Sequence, residues 1–212
     1  MIEGVLFDID DTLIDTSGSF EAAISALRQE YFPALPATKE REMLAVWYGD
    51  AGGYLKKYTT GEIDILTQRI KRADELNQRF GGEPVTPENY TRWEKAFWGT
   101  LEQTITLHDD VLPLLAQLKE KGIPVGVVTN AATNVQHRKL RNAGIDVAST
   151  FGNAFIGVDT LGFGKPNPEI FLEAAKVLGS TPAHTLYIGD EYTNDAKAAA
   201  AAGLVGVWLT RP

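Results

Sequence analysis

The sequence predicts an α/β fold, a Rossmann-like parallel sheet core carrying an inserted all-helical domain, and three observations lead there. Short unbroken apolar runs, Gly4 to Phe7, Pro124 to Val128 and Leu186 to Gly189, each stop abruptly at polar residues, as strands buried on both faces do. From Leu107 onward these runs alternate with helix-patterned segments. Between Leu13 and Leu107 the pattern is helical only, for roughly ninety residues, too long for an ordinary strand-to-helix connection. The expected division is therefore 1–15 with 107–212 as the α/β core, and 16–106 as the helical insertion.

The first strand, Gly4 to Phe7, runs straight into Asp8, Asp10 and Asp11. In an open α/β sheet, ligands bind in the crevice beyond the carboxyl ends of the strands, so these acids are expected there. Their alternation with Thr12 imitates a calcium loop. However, Leu13 stands where that loop requires Gly, Ser19 where it requires a bidentate Glu, and a strand rather than a helix precedes it. A lone Asp at a strand end is commonly a turn former or cap. Three acids in four positions repel one another and call for a cation.

Four helices are expected in the insertion. Phe20 to Phe32 carries Phe20, Ala23, Ile24 and Leu27 at helical spacing, and Thr38 to Tyr58 is interrupted near Gly52-Gly53. Asp64 to Phe80 ends at Gly81-Gly82, and the last helix opens at Thr86-Pro87-Glu88, an N-cap with Pro at the first helical position, and reaches about Gln103. Tyr90, Trp93 and Phe97 then read as a core stripe, with pocket lining by these rings or by Trp47, Tyr48 or Tyr54 as the alternative.

Beyond a helix over Asp109 to Lys121, the second strand, Pro124 to Val128, ends at Thr129-Asn130, a hydroxyl and an amide able to hydrogen-bond a phosphate oxygen. Thr133-x-x-Gln136 reads as a capping box on the following helix. A third strand is expected over Phe155 to Val158. Gly164-Lys165 is no nucleotide loop, because Asp159 replaces its first Gly and Pro166 its Ser or Thr. Asn167-Pro168 caps a helix ending at Gly179, and Lys165 by itself reads as a surface charge. The next strand ends in Gly189-Asp190, with Asp195 five residues on. Asp195 has three open readings: holding a metal through water, pairing with Lys165, or capping a helix. The alanine run to Ala202 continues that helix, Gly203 ends it, and Val205 to Leu209 supplies the last strand.

Taken in order, Asp8-x-Asp10-x-Thr12-Leu13, Thr129-Asn130, Lys165-Pro166-x-Pro168 and Gly189-Asp190 with Asp195 resemble the four motifs of the haloacid-dehalogenase-like superfamily. The resemblance is to its helical-cap phosphatases, among them pyrimidine nucleotidase, acylneuraminate-phosphate phosphatase and phosphoglycolate phosphatase. It implies Asp8 as the nucleophile, Asp10 as general acid and base, and Lys165 neutralising a phosphoryl group bound by Thr129 and Asn130. Mg²⁺ would be held by Asp8, the backbone of Asp10 and Asp190, with Thr12 and Asp195 in support. The implied reaction is hydrolysis of a small phosphomonoester, a nucleoside monophosphate or sugar phosphate, through an aspartyl-phosphate. Within the same superfamily a phosphosugar mutase, a 2-haloacid dehalogenase or a non-catalytic metabolite-binding protein are the alternatives, and a monomer or homodimer fits equally.

Composition narrows the partners. The 212 residues, 44% hydrophobic and 23% charged, suit a globular protein with a substantial core. A net charge of -8 opposes binding to a nucleic acid polymer, which needs a basic face. The absence of cysteine excludes disulfides and thiolate chemistry. No apolar run is long enough to span a bilayer, so no membrane partner and a cytoplasmic location are expected. His108, His137 and His184 are isolated in sequence and carry no catalytic motif.

Overall fold

The computed structural model describes residues 1–211 and divides into two compact units, one of Met1–Asp15 with the segment from Thr106 onward, the other Thr16–Ile105. No helix among the described residues is long and apolar enough to cross a membrane.

The first unit is built on five strands, β1 (Gly4–Phe7), β2 (Val125–Val128), β3 (Phe155–Ile156), β4 (Thr185–Gly189) and β5 (Val205–Trp208), in the order β3-β2-β1-β4-β5. Every pairing is parallel. The order dictates where a site can lie. The chain steps from β1 outward to β2 and β3, then returns to β4 on the opposite flank of β1, which makes the boundary between β1 and β4 the topological switch point.

Among the described residues, six α-helices accompany these strands: α6 (Val111–Glu120), α7 (Thr133–Asn142), α8 (Val147–Phe151), α9 (Val158–Leu161), α10 (Pro168–Leu178) and α11 (Ala198–Ala201). Leu6, Val128, Ile156 and Tyr187 share one face of the sheet and pack with Ile170, Phe171 and Ala174 of α10 and with Ala198 and Ala199. The alanines are small enough to let their helix lie close to the strands, and α10 itself is set by the Asn167 cap, whose side chain accepts from the Glu169 N–H at 3.0 Å.

The second unit holds α1 (Thr16–Tyr31), α2 (Glu40–Gly49), α3 (Tyr54–Thr59), α4 (Ile65–Arg79) and α5 (Tyr90–Thr104). Its centre is aromatic. Trp93 stacks on Phe97 at 4.9 Å, Phe97 meets Trp47 at 4.5 Å, and Phe20 approaches Phe97 at 5.9 Å. Trp93 also donates its indole N–H to Oδ1 of buried Asn77 at 3.1 Å. Trp93→Ala should therefore destabilise this unit by ~3–5 kcal/mol, since it opens a cavity and orphans an amide oxygen together. Trp93→Phe keeps the ring contacts and should lose ~1–3 kcal/mol, both read from urea unfolding followed by circular dichroism.

Several sequence expectations are corrected. The helix assigned a start at Thr86 begins at Tyr90, because the Asn89 side chain closes a turn, accepting from the Thr86 N–H at 2.9 Å and donating to the Pro84 carbonyl at 2.9 Å. The third strand stops at Ile156 and Val158 opens α9, its N–H going to the Ala131 carbonyl at 3.3 Å instead of a ladder partner. The capping box does not form. Ala132 is the N-cap of α7, while Thr133 gives both its N–H and its hydroxyl to Asp159 at 2.9 Å. The short helix α8, capped by Asp146 through the Ser149 N–H, had no expectation at all.

Candidate active site

Asp8 and Asp190 follow directly on β1 and β4, the two strands that bound the switch point. The Asp8 N–H donates to the Ile188 carbonyl at 2.8 Å, extending the β1–β4 pairing by one residue. Asp195 joins them from a π-helical turn, Thr193–Lys197. One carboxylate oxygen from each of Asp8, Asp190 and Asp195 lies within 4.8 Å of the others. Gly189 permits this convergence, since a Cβ there would overlap the Asp195 carboxyl.

Lys165 is the hub. Its ammonium donates to Asp8 Oδ1 at 2.6 Å, to Asp195 Oδ1 at 2.6 Å and to the Tyr187 hydroxyl at 2.9 Å, which uses all three of its protons. The second Asp195 oxygen accepts the Glu191 N–H at 2.9 Å, and the Tyr187 hydroxyl sits 3.1 Å from both Asp195 Oδ1 and the Val128 carbonyl. Of the three readings open for Asp195, the structure shows the Lys165 pair directly; it is not the cap of the following helix, since it lies inside the π-helical turn and its second oxygen accepts an N–H from upstream. Burial alone would push the Lys165 ammonium down, but Asp8, Tyr187 and Asp195 together hold it well above its ordinary range. Burial drives Asp8 up, against the pull of Lys165 and reinforced by the charges of Asp195 and Asp10.

Asp190 is pushed up to about 6, chiefly by burial and then by Asp195. A set of oxygen donors whose charges oppose one another in this way suits a hard divalent cation such as Mg²⁺. Thr12, almost wholly buried, donates its hydroxyl to Asp190 Oδ1 at 3.3 Å and so ties the two acidic loops together. The turn between Asp10 and Thr12 is made by Asp11 at φ 54°, a left-handed conformation that Asp tolerates better than most residues.

Asp10 faces α7. Lys139 Nζ lies 2.5 Å from its Oδ1 and Gln136 Nε2 lies 2.5 Å from its Oδ2. Gln136 Nε2 also reaches Thr129 Oγ1 at 3.1 Å. The Asn130 amide is spent on the backbone of Lys165, accepting its N–H at 2.6 Å and donating to its carbonyl at 3.0 Å. Gly164 leaves the room for that contact. Three site residues, Tyr187, Gln136 and Lys139, escape sequence reasoning. Tyr187 lies within an apolar strand run, Gln136 reads as part of a capping box, and Lys139 belongs to no motif. The histidines stand apart: His184 pairs with Glu3 at 3.0 Å and His137 packs on the Phe155 ring at 4.2 Å.

Residues 2–203 match a family of hydrolases described as haloacid dehalogenase-like. A glyceraldehyde 3-phosphate phosphatase of Methanopyrus kandleri is 33% identical over 215 residues, covering 100% of this chain and 85% of the relative. A phosphoglycolate phosphatase of Escherichia coli is 31% identical over 218 residues, covering 99% of this chain and 81% of the relative. Among solved structures, the HAD-hydrolase YfnB from Bacillus subtilis bound to magnesium aligns with a TM-score of 0.76 at 26% identity, over 96% of this chain and 86% of that one. The L-2-haloacid dehalogenase from Xanthobacter autotrophicus aligns with a TM-score of 0.73 at 23% identity, over 96% of this chain and 76% of that one, a likeness of fold alone. With its own parallel sheet and acidic switch point, the chain belongs to the haloacid dehalogenase-like hydrolase family.

Proposed function

We propose that the protein is a Mg²⁺-dependent phosphatase that hydrolyses a small phosphomonoester through an aspartyl-phosphate on Asp8. The observation that carries the reading is the Lys165 ammonium held 2.6 Å from Asp8 inside a cluster of three carboxylates at the switch point of the sheet. A carboxylate nucleophile and a phosphate dianion repel each other, and a fixed, buried cation offsets that repulsion where the new bond forms. The relatives named as phosphatases of glyceraldehyde 3-phosphate and phosphoglycolate support a two- or three-carbon phosphate, while sugar phosphates and nucleoside monophosphates rest on the sequence resemblance alone.

In the proposed sequence, an Asp8 oxygen attacks phosphorus while the bond to the substrate oxygen breaks, and Asp10 delivers its proton to the departing alkoxide. Asp10, now a carboxylate, takes a proton from water as that water attacks phosphorus. The Asp8–phosphorus bond breaks, inorganic phosphate leaves and both carboxyls return to their starting forms. Asp8, Asp190 and the Asp10 carbonyl would hold Mg²⁺, which when bound supplies further positive charge against the phosphate oxygens. Thr129 Oγ1 and the backbone N–H of Asn130 bind the phosphate, the Asn130 amide being committed to Lys165.

The test is phosphate release with and without Mg²⁺ across phosphoglycolate, glyceraldehyde 3-phosphate, sugar phosphates and nucleoside monophosphates. Release from at least one of them that stops with EDTA and returns with added Mg²⁺ is expected. Release that persists in EDTA, or no release at all, contradicts the reading.

A further inference from the structure

The Asp10 carboxylate is gripped by two side chains that none of the four sequence motifs contains. Gln136 and Lys139 lie three residues apart on α7, so both project from the same face. Gln136 is 0% and Lys139 4% exposed on a helix whose other polar residues are open to solvent or half-buried. A lysine ammonium is rarely withdrawn from water unless an anion receives it. Here the anion comes from the other end of the chain, 129 residues away.

We propose that Gln136 and Lys139 are positioning residues that hold the Asp10 carboxyl in place through both halves of the reaction. The inference rests on the phosphatase reading above. Each side chain takes one oxygen, Lys139 reaching Oδ1 and Gln136 reaching Oδ2, so rotation about the carboxyl is blocked from both sides. The Asp10 side chain keeps 34% of its surface exposed, which leaves it accessible to substrate and water while its oxygens are held. Gln136 Nε2 spans from Asp10 to Thr129 Oγ1, so the same amide sets the distance between the acid and the phosphate-binding threonine.

The experiment compares kcat/KM of wild type, Lys139→Met, Lys139→Arg and Gln136→Leu on the most active alkyl phosphate of the panel above and on p-nitrophenyl phosphate. An alkoxide needs the Asp10 proton to leave, whereas nitrophenolate departs without it. Lys139→Met should lose ~10–100-fold on the alkyl phosphate and under ~3-fold on the aryl ester. Lys139→Arg should recover most of the loss. Gln136→Leu, which retains the Lys139–Asp10 pair, should show the same selectivity to a smaller degree, so the inference stays testable should Lys139→Met fail to fold. Asp10→Asn and the Asp10→Asn/Lys139→Met double variant should coincide, since the lysine acts only through the aspartate. Equal losses on both substrates, no loss, or a double variant slower than Asp10→Asn overturns the inference. Wild type inactive on the whole panel and on p-nitrophenyl phosphate overturns the phosphatase reading and the positioning role with it.

Discussion

Asp8→Asn protein should fold and release no phosphate, with turnover at least ~10⁴-fold below wild type, the scale on which removal of a nucleophile is felt in other covalent mechanisms. The substitution is nearly isosteric. The backbone N–H that joins Asp8 to Ile188 is untouched, and Lys165 retains Asp195 and Tyr187 as partners. A neutral amide also escapes the burial that drives the Asp8 carboxyl up. A cooperative thermal transition should therefore persist, which separates loss of chemistry from loss of fold. Rates within ~10-fold of wild type would remove Asp8 from the reaction.

Lys165→Met should fail in two ways at once. It removes the charge that faces the attacked phosphate, for which a loss of ~10²–10³-fold in kcat is the expected scale. It also leaves Asp8 and Asp195 in a buried site without their cation, and breaking a buried pair from one side typically costs ~3–5 kcal/mol. The destabilisation should depend on pH. Lys165 is the main charge pulling Asp8 down, so without it the Asp8 carboxyl rises further above its unfolded value of ~3.9. A carboxyl raised in the folded state binds more protons folded than unfolded, so stability falls as pH rises through that window. The deficit against wild type should accordingly widen as pH rises above the ordinary carboxylate range in metal-free urea titrations. A constant deficit as pH rises would mean that the ammonium is not what opposes the burial of Asp8.

Much of this architecture is legible in the sequence because parallel strands buried on both faces leave a plain record. Gly4 to Phe7, Pro124 to Val128 and Leu186 to Gly189 are short apolar runs ended by polar residues, and strands form at each, while the order of the strands, and with it the switch point, is seen only in the fold. Asp8 and Asp190 stand at the carboxyl ends of their strands, whereas Lys165 and Asp195 join the site only through the resemblance to the family's motifs. What stayed hidden depends on partners distant in sequence. Gln136 sits three residues after Thr133, the spacing of a capping box, and only the Asp10 loop 126 residues away gives its amide another use. Tyr187 fills a core position as any large apolar residue would, and its hydroxyl matters only because Lys165 ends beneath it at 2.9 Å. Asn130 looks like a ligand-binding amide until the Lys165 backbone is found to occupy both of its polar atoms. Helix ends failed where a side chain chose a turn over a cap, as Asn89 does with Thr86 and Pro84.

The most direct test of the central claim is to trap the intermediate. Wild-type protein turning over its best substrate with Mg²⁺ would be quenched in acid and treated with borohydride, which reduces an acyl phosphate on aspartate to homoserine, and the peptides read by mass spectrometry. Homoserine at position 8, absent from Asp8→Asn and from protein quenched without substrate, is the result expected. Phosphate release with no reduced residue, or with reduction at any aspartate other than Asp8, would contradict the account.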